Sequence, residues 1–208
     1  MAEALRGSMV VGGLILAGGR GNRIGGEDKG LLRLDERAYV AHLVDVLSPV
    51  VASMAISANR NMDRYSSWAD TILPDCAFPE AGPVAGLTEG LRWARMQGFM
   101  GVITAPCDTP GLPPGWAVQI LEAARCRPAI PCLSDTGDRR HPLHGYYPVA
   151  LLGRVERYLC RGERRALALA EQLGAEWMDC RAMAQGFINV NQPADQARVR
   201  STPESGTV

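Results

Sequence analysis

Short apolar runs alternate along this chain with segments in which apolar residues recur every three or four positions. Continuous runs of this length are typical of buried strands, whereas the spaced pattern is typical of helices that pack one face against a core. The runs predict strands at 9–15, 50–57, 71–74, 100–105, 128–133, 145–148, 175–179 and 187–190. The spaced pattern predicts helices at 36–47, 83–94, 112–125, 149–159, 164–173 and 193–199. Alternation of the two element types indicates an α/β fold around a mostly parallel sheet.

A glycine-rich loop follows the first predicted strand. Five glycines, two arginines and a lysine lie between residues 18 and 29. Glycine lets a ligand approach the backbone closely, and successive N–H groups in such a loop form a concavity that binds anions. The loop is not a P-loop, because Lys29 has no preceding glycine and is followed by Gly30 instead of Ser or Thr. Its composition favours the phosphates of a nucleotide over an idle connection between strand and helix.

Polar residues follow the next three predicted strands. Asn59 comes after the second strand, Asp75 after the third and Asp108 after the fourth. In open parallel sheets, ligands bind outside the carboxyl ends of the strands, so these side chains and the glycine loop are expected to share one edge. Taken alone, Asn59 is better explained as a turn former and Asp75 as a helix cap or turn residue. Their shared position favours a binding site.

Asp108 and two nearby cations suggest phosphoryl chemistry at this edge. A carboxylate directly after an apolar strand is well placed to hold Mg²⁺, which prefers oxygen ligands and bridges to phosphates. Lys29 and Arg23 would offset the negative charge that develops on a phosphoryl group during transfer. The alternatives are a turn aspartate and two solvated surface cations.

Composition narrows the class of protein. Basic and acidic residues balance at 22 each, which gives no indication of a nucleic-acid or membrane partner. No apolar stretch approaches the roughly 20 residues that span a bilayer, and residues 1–8 lack the apolar core of a signal peptide. The six cysteines include no Cys-x-x-Cys pair, which argues against a zinc site or disulfide framework and favours reduced core thiols in the cytoplasm. The length suits one domain over 9–199, with loose tails at 1–8 and 200–208.

Nine short motifs together resemble a known family. They lie at 16–19 with Arg23 and 25–26, 28–31, 57–60, 74–75, 82–87, 106–110, 141–146, 162–165 and 187–191. Their order and spacing over about residues 10 to 200 are similar to those of the molybdenum cofactor guanylyltransferases. The motifs at 16–19 and 106–110 are shared with other nucleotidyltransferases, whereas the combination of 58–60, 82–87 and 187–191 is specific.

The resemblance implies a fold, a reaction and a set of binding residues. The implied fold is a Rossmann-like, three-layer α/β/α domain of the nucleotide-diphospho-sugar transferase type. In the implied reaction, the terminal phosphate of molybdopterin attacks the α-phosphate of GTP and pyrophosphate leaves, with Mg²⁺ or else Mn²⁺ as cofactor. A molybdoenzyme or a delivery protein is left open as a further partner. The implied nucleotide and metal site consists of Leu16, Ala17, Gly18, Gly19, Lys29, Asn59, Asp75 and Asp108, with the metal on Asp108 and with Arg23, Lys29 and Asp108 as the catalytic set.

The base is assigned from one residue of the glycine loop, and the acceptor from side chains in the second half of the chain. Related cytidylyltransferases typically carry alanine where this chain has Gly18, and the missing methyl group leaves room for a purine, which favours GTP over CTP. His141 and Tyr146, with the neighbouring His144 and Tyr147, are expected to line a pterin pocket. The residues expected to complete the acceptor site are Arg164 with Arg165 for the phosphate, and Asn189 and Asn191 on one face of a short strand. Equally, the tyrosines face the core, the arginines begin an exposed helix, and the asparagines cap the last helix.

Two other functions remain in competition. A nucleotidyltransferase of the same fold could use CTP or a sugar phosphate, although sugar enzymes are more often longer. A regulatory module could bind a nucleotide without catalysis, but such a descendant would be expected to lose Asp108 or Lys29, and both are present.

Overall fold

The computed structural model describes residues 9–18, 28–79, 81–190 and 195. Three residues named above, Gly19, Arg23 and Asn191, lie outside these ranges. So do the predicted tails and all but one residue of the predicted helix 193–199.

Within the described residues, nine strands form a large central sheet and a small hairpin. They are β1 (Val11–Leu16), β2 (Arg33–Leu34), β3 (Arg37–Ala38), β4 (Met54–Ser57), β5 (Thr71–Leu73), β6 (Gly101–Pro106), β7 (Cys132–Asp135), β8 (Arg140–Pro148) and β9 (Glu176–Asp179). Seven of them form one sheet in the order β5-β4-β1-β6-β8-β7-β9, and β2 pairs with β3. Only β8 runs antiparallel to its sheet neighbours, so the prediction of a mostly parallel sheet is confirmed.

Helices cover both faces of the sheet. They are α1 (Tyr39–Leu47), α2 (Met62–Tyr65), α3 (Pro83–Met96), α4 (Gly115–Cys126), α5 (Leu152–Cys160) and α6 (Ala166–Leu173). Side chains of β1 alternate between two cores: Val11 and Ile15 pack with α1 and α4, whereas Leu14 and Leu16 pack with α3, α5 and α6. This period of two is what a strand buried on both faces requires. The three layers follow directly from the two cores.

Several predicted boundaries were wrong for identifiable reasons. The helix predicted from residue 36 begins at Tyr39, because Asp35 and Glu36 have positive φ values of 48° and 64° in the turn of the β2–β3 hairpin. The segment 187–190 is not a strand, since a 3-10 helix occupies Arg181–Phe187 and extended backbone without sheet pairing follows it. Asn189 therefore does not lie on a strand face. Strand β8 is much longer than the predicted 145–148.

Two expectations drawn from composition concern the cysteines and membrane-spanning helices. All six cysteines are free thiols, of which three are buried and three, Cys76, Cys126 and Cys160, are exposed and not part of the core. Among the described residues, no helix has both the length and the apolar character needed to cross a membrane.

Candidate active site

A cavity of about 650 Å³ opens at the carboxyl ends of β1, β4, β5 and β6. Because these four strands are parallel, the residues that follow them converge on one edge of the sheet. Seven of the residues expected to bind nucleotide or metal line the cavity: Leu16, Ala17, Gly18, Lys29, Asn59, Asp75 and Asp108. The parallel arrangement of these strands thus brings together side chains that are up to 92 positions apart in the sequence, from Leu16 to Asp108.

Asn59 and Asp75 form a reciprocal clamp on one wall of the cavity. The Asn59 amide donates to Asp75 Oδ2 at 2.8 Å, and the Asp75 backbone N–H donates back to Asn59 Oδ1 at 2.8 Å. Ser57 Oγ donates to Asp75 Oδ1 over a longer 3.4 Å. Burial raises the pKa of Asp75, and the Asn59 and Ser57 hydrogen bonds partly offset that rise. The clamp fixes the carboxyl group and leaves Oδ1 the less engaged of its two oxygens.

Gly18 lies directly against this clamp. A β-carbon built at residue 18 would stand 3.3 Å from the Asn59 amide nitrogen, 3.5 Å from Asp75 Oδ2 and 3.5 Å from Ser57 Oγ. A methyl group there would therefore press on the Asn59–Asp75 pair. The lack of a side chain at Gly18 therefore leaves space for the Asn59–Asp75 clamp.

The first turn of α3 approaches the same wall. Gly82, Pro83 and Gly86 line the cavity, and a side chain at Gly86 would overlap the Ser57 hydroxyl. The backbone N–H groups of a helix N-terminus favour anions. The 82–87 motif therefore places the N-terminus of α3 at the cavity, and the partial positive charge of a helix N-terminus suits phosphate.

Asp108 and Lys29 form the opposite wall. Lys29 Nζ lies 4.0 Å from Asp108 Oδ2, and both side chains are partly exposed to the cavity. Asn189 Nδ2 donates to the same oxygen at 3.3 Å, and the Val190 N–H donates to the Asp108 carbonyl at 2.7 Å. Burial raises the pKa of Asp108, and the Lys29 charge works against that rise. Asn189 thus contacts the Asp108 carboxylate, and it does so from irregular backbone instead of a strand face.

The segment that carries Lys29 is anchored by residues that sequence reasoning missed. Tyr65, fully buried on α2, donates a short hydrogen bond to Asp28, and Asn61 Nδ2 donates to the same carboxylate at 3.3 Å. Burial and then the Asp28 hydrogen bond raise the pKa of Tyr65, so its hydroxyl stays protonated as a donor. A side chain at Gly30 would collide with this hydroxyl. The conspicuous motif at 28–31 pointed to Asp28, but nothing local pointed to Tyr65.

A family model described as a MobA-like NTP transferase domain matches residues 13–176. The chain belongs to this family. A relative named molybdenum cofactor guanylyltransferase from Cereibacter sphaeroides is 38% identical over 192 residues, which cover 91% of this chain and 95% of the relative. Another of the same name, from Yersinia pestis, is 32% identical over 183 residues, covering 88% and 91%.

Solved structures agree on the fold. Molybdopterin-guanine dinucleotide biosynthesis protein A from Archaeoglobus fulgidus matches with a TM-score of 0.74 and 21% identity, over 91% of this chain and 96% of that one. The likeness confirms the predicted α/β fold of nucleotide-diphospho-sugar transferase type for this MobA-like chain.

Two residues expected on the acceptor side of the MobA-like domain lie elsewhere. Tyr146 is fully buried in the core, with its ring over Gly101 at the amino end of β6 and its hydroxyl donating to the Pro128 carbonyl at 2.9 Å. It therefore belongs to the opposite end of the sheet from the cavity. Arg164 donates to the carbonyls of Leu159 and Glu163 at 2.8 and 2.7 Å, so its guanidinium caps the end of α5. Tyr146 thus faces the core, as the alternative for it had it, whereas Arg164 caps α5 and does not begin the next helix, which starts at Ala166.

His141 and His144 do lie beside the site, although both are buried. Their rings are 5.3 Å apart, and each packs on Phe187, at 4.7 and 5.2 Å. His144 Nε2 is hydrogen-bonded to Thr109 Oγ1 at 2.9 Å, directly after Asp108 in the chain. Burial lowers the pKa of both histidines, that of His144 strongly, which keeps them neutral. This cluster supports the Asp108 loop from behind, and no pattern in the sequence indicated the part played by Thr109 or Phe187.

Proposed function

We propose that this chain transfers GMP from GTP to the terminal phosphate of molybdopterin, releases pyrophosphate and forms the guanine dinucleotide of the cofactor. The observation that carries the proposal is one cavity with two opposed polar walls, the Asn59–Asp75 clamp and the Lys29–Asp108 pair. The first wall suits a nucleobase and the second a polyphosphate. The similarity to enzymes named molybdenum cofactor guanylyltransferase supplies the acceptor.

The clamp wall is suited to guanine. Guanine presents two adjacent donors, N1–H and the N2 amine, whereas cytosine presents an acceptor at N3 and another at O2. Asp75 Oδ1, which Ser57 meets only at 3.4 Å, is the acceptor for these donors, while Asn59 holds the other oxygen. A hydrogen bond to a charged acceptor contributes about 1.5–3 kcal/mol. The backbone of Leu16, Ala17 and Gly18 forms the floor beneath the ribose and α-phosphate.

The residues on the other wall fit a hard divalent cation. Among the residues that the structure describes, no three His, Cys, Asp or Glu side chains form a closed metal cage. One carboxylate facing a cavity for phosphates is what Mg²⁺ uses, since it keeps waters and phosphate oxygens as its other ligands. Asp108 would hold the ion, Mg²⁺ or Mn²⁺, and Asn189 would keep the carboxylate aligned. When bound, the ion would neutralise charge on the α-phosphate and on the departing pyrophosphate.

The chain's own groups bind, orient and neutralise. Lys29 contributes a point charge to the phosphates, and the N-terminus of α3 adds its N–H groups on the clamp side. Because a phosphate oxygen attacks a phosphorus atom directly, no protein nucleophile is needed, and catalysis rests on alignment and charge. Arg23, within the segment 19–27 outside the described residues, is proposed as a second cation, and Gly19 as a further backbone contact.

Pyrophosphate release from each nucleoside triphosphate in the presence of molybdopterin tests this function. We expect release with GTP and Mg²⁺, a guanine dinucleotide product by mass spectrometry, and loss of both in Asp108→Asn. The matched control is Asp45→Asn, because Asp45 pairs with Arg37 at 2.7 Å on α1 and does not line the cavity. Release with CTP alone, or with a sugar 1-phosphate in place of molybdopterin, would replace this assignment.

A further inference from the structure

The acceptor phosphate requires a cation, and Arg164, whose guanidinium caps the end of α5, does not supply it. Three arginines lie at the carboxyl ends of β7 and β9 or at the start of β8, on the same edge of the sheet as the cavity: Arg139, Arg140 and Arg181. Arg140 stacks 4.9 Å over the Trp177 ring and pairs with Asp135 at 3.6 Å, whereas Arg181 pairs with Asp179 at 2.6 Å. Both guanidinium groups are therefore already engaged by neighbouring side chains.

Arg139 differs from these two. It is exposed on the turn between β7 and β8, and within the described ranges no carboxylate lies at ion-pair distance from its guanidinium. Its backbone is nevertheless fixed, because its carbonyl accepts hydrogen bonds from the Thr136 N–H and hydroxyl, each at 3.0 Å. A fixed backbone that carries an exposed guanidinium is suited to an anionic ligand.

A chain of contacts connects this turn to Asp108. Thr136 Oγ1 is hydrogen-bonded to His141 Nε2 at 3.0 Å, and the His141 ring packs 4.7 Å from Phe187. Two residues later, Asn189 contacts the Asp108 carboxylate. Thr136, which also holds the Arg139 carbonyl, is thus linked through His141, Phe187 and Asn189 to the Asp108 carboxylate.

We propose that Arg139 binds the terminal phosphate of the acceptor and holds it in line for attack on the α-phosphate of the nucleotide. The inference rests on the proposed function and adds a residue to it. With GTP between the clamp and Asp108, the attacking phosphate would approach from the side of β8, whose Leu143 lines the cavity and whose turn with β7 lies at the same edge of the sheet. The planar fork of arginine matches two phosphate oxygens at once, which fixes direction as well as position.

Steady-state rates at varied molybdopterin and saturating GTP test the assignment. For Arg139→Ala we expect kcat/KM for molybdopterin to fall roughly 10- to 100-fold, the usual consequence of losing a charged hydrogen-bond partner. Arg139→Lys should keep the charge and recover part of the rate, without the bidentate contact. The Kd for GTP with Mg²⁺, measured by calorimetry without acceptor, should change less than about twofold. Arg164→Ala and Arg140→Ala are the matched controls and should leave kcat/KM for molybdopterin within about threefold of the unsubstituted protein.

Two results would overturn the role of Arg139. One is an Arg139→Ala variant with unchanged kcat/KM for molybdopterin, and the other is an equal loss in GTP affinity, which would place the side chain on the nucleotide. A melting temperature equal to that of the unsubstituted protein verifies folding. The calorimetric Kd for GTP distinguishes acceptor binding from a merely structural role of Arg139, because a structural role would change this Kd as well. Failure of the proposed function is distinct, because the unsubstituted protein would then form no guanine dinucleotide at all.

Discussion

Replacing Asp75 with asparagine tests how the cavity selects its base. Asp75 Oδ2 is held by Asn59 at 2.8 Å, so Oδ1 is the oxygen proposed to accept from the guanine donors. In Asp75→Asn the amide oxygen would remain with the Asn59 donor, and the amide NH₂ would then oppose the N2 amine of guanine. The lost charge-assisted hydrogen bond corresponds to about 1.5–3 kcal/mol, which is roughly a 10- to 150-fold fall in kcat/KM for GTP.

Xanthosine triphosphate makes this prediction specific. Xanthine has a carbonyl oxygen where guanine has the N2 amine, so it can accept from the new amide at residue 75. The ratio of kcat/KM for xanthosine triphosphate to that for GTP should rise at least tenfold in the variant. Rates with GTP, xanthosine triphosphate and CTP, each with molybdopterin, measure it. Equal losses for all three nucleotides would refute the reasoning, because Asp75 would then act on the shared ribose or phosphates.

The melting temperature distinguishes a loss of base selection from damage to the fold. Because burial raises the pKa of Asp75, its ionised form is disfavoured in the folded protein, and the carboxylate costs stability above the folded pKa. Asp75→Asn should therefore melt at the same or a higher temperature at pH 8. The pKa of Asp70 is shifted in the opposite direction, because hydrogen bonds from the Met54 N–H and the Ser53 hydroxyl lower it. The Asp70 carboxylate therefore stabilises the fold above its unfolded pKa, and this contribution is lost on acidification. Asp70→Asn should lower the melting temperature at pH 7 and leave the base ratio unchanged.

Three further outcomes are expected. Tyr65→Phe removes the hydrogen bond to Asp28 that anchors the Lys29 segment, so kcat should fall roughly tenfold. The control is Tyr158→Phe, which removes a hydrogen bond to the Arg165 carbonyl outside the cavity, and the two variants should melt at similar temperatures. Gly18→Ala presses on the clamp, and overpacking of about 1–3 kcal/mol should weaken GTP binding at least fivefold by calorimetry, whereas unchanged affinity would show that the clamp can move aside. Chelation of divalent metal with EDTA should stop product formation, and added Mg²⁺ or Mn²⁺ should restore it; turnover that persists in EDTA would remove the metal role of Asp108.

Much of the fold could be predicted because strands buried on both faces are continuous apolar runs. Runs such as 100–105 and 9–15 have this character, and both became central parallel strands. The β2–β3 hairpin was missed because each strand has only two residues, too few for a period to appear. Strand β8 was underestimated because its first half contains charged, imidazole and proline side chains, which no apolar run includes.

The convergence of Asn59, Asp75 and Asp108 on one cavity could be predicted from topology, whereas the positions of Tyr146 and Arg164 could not. Asn59, Asp75 and Asp108 each follow a parallel strand, so their convergence depends only on strand direction. Tyr146 and Arg164 depend instead on the direction that one side chain takes, and this is set by distant partners such as Gly101 and by local helix capping. A residue type suited to a pterin or a phosphate is equally suited to a core or a cap.

An irregularity in β8 explains why the two histidines were hard to place. In a regular strand, residues three positions apart point to opposite faces, which would separate His141 from His144. The pairing with β7 jumps from Leu133↔Gly145 to Ser134↔His141, so three extra residues, 142–144, are accommodated in β8. That bulge allows both rings to contact Phe187 and brings Leu143 to the cavity wall. Bulges often redirect side chains next to active sites, and here the bulge joins the Arg139 turn to the Asp108 loop, which no pattern of apolar and polar positions could indicate.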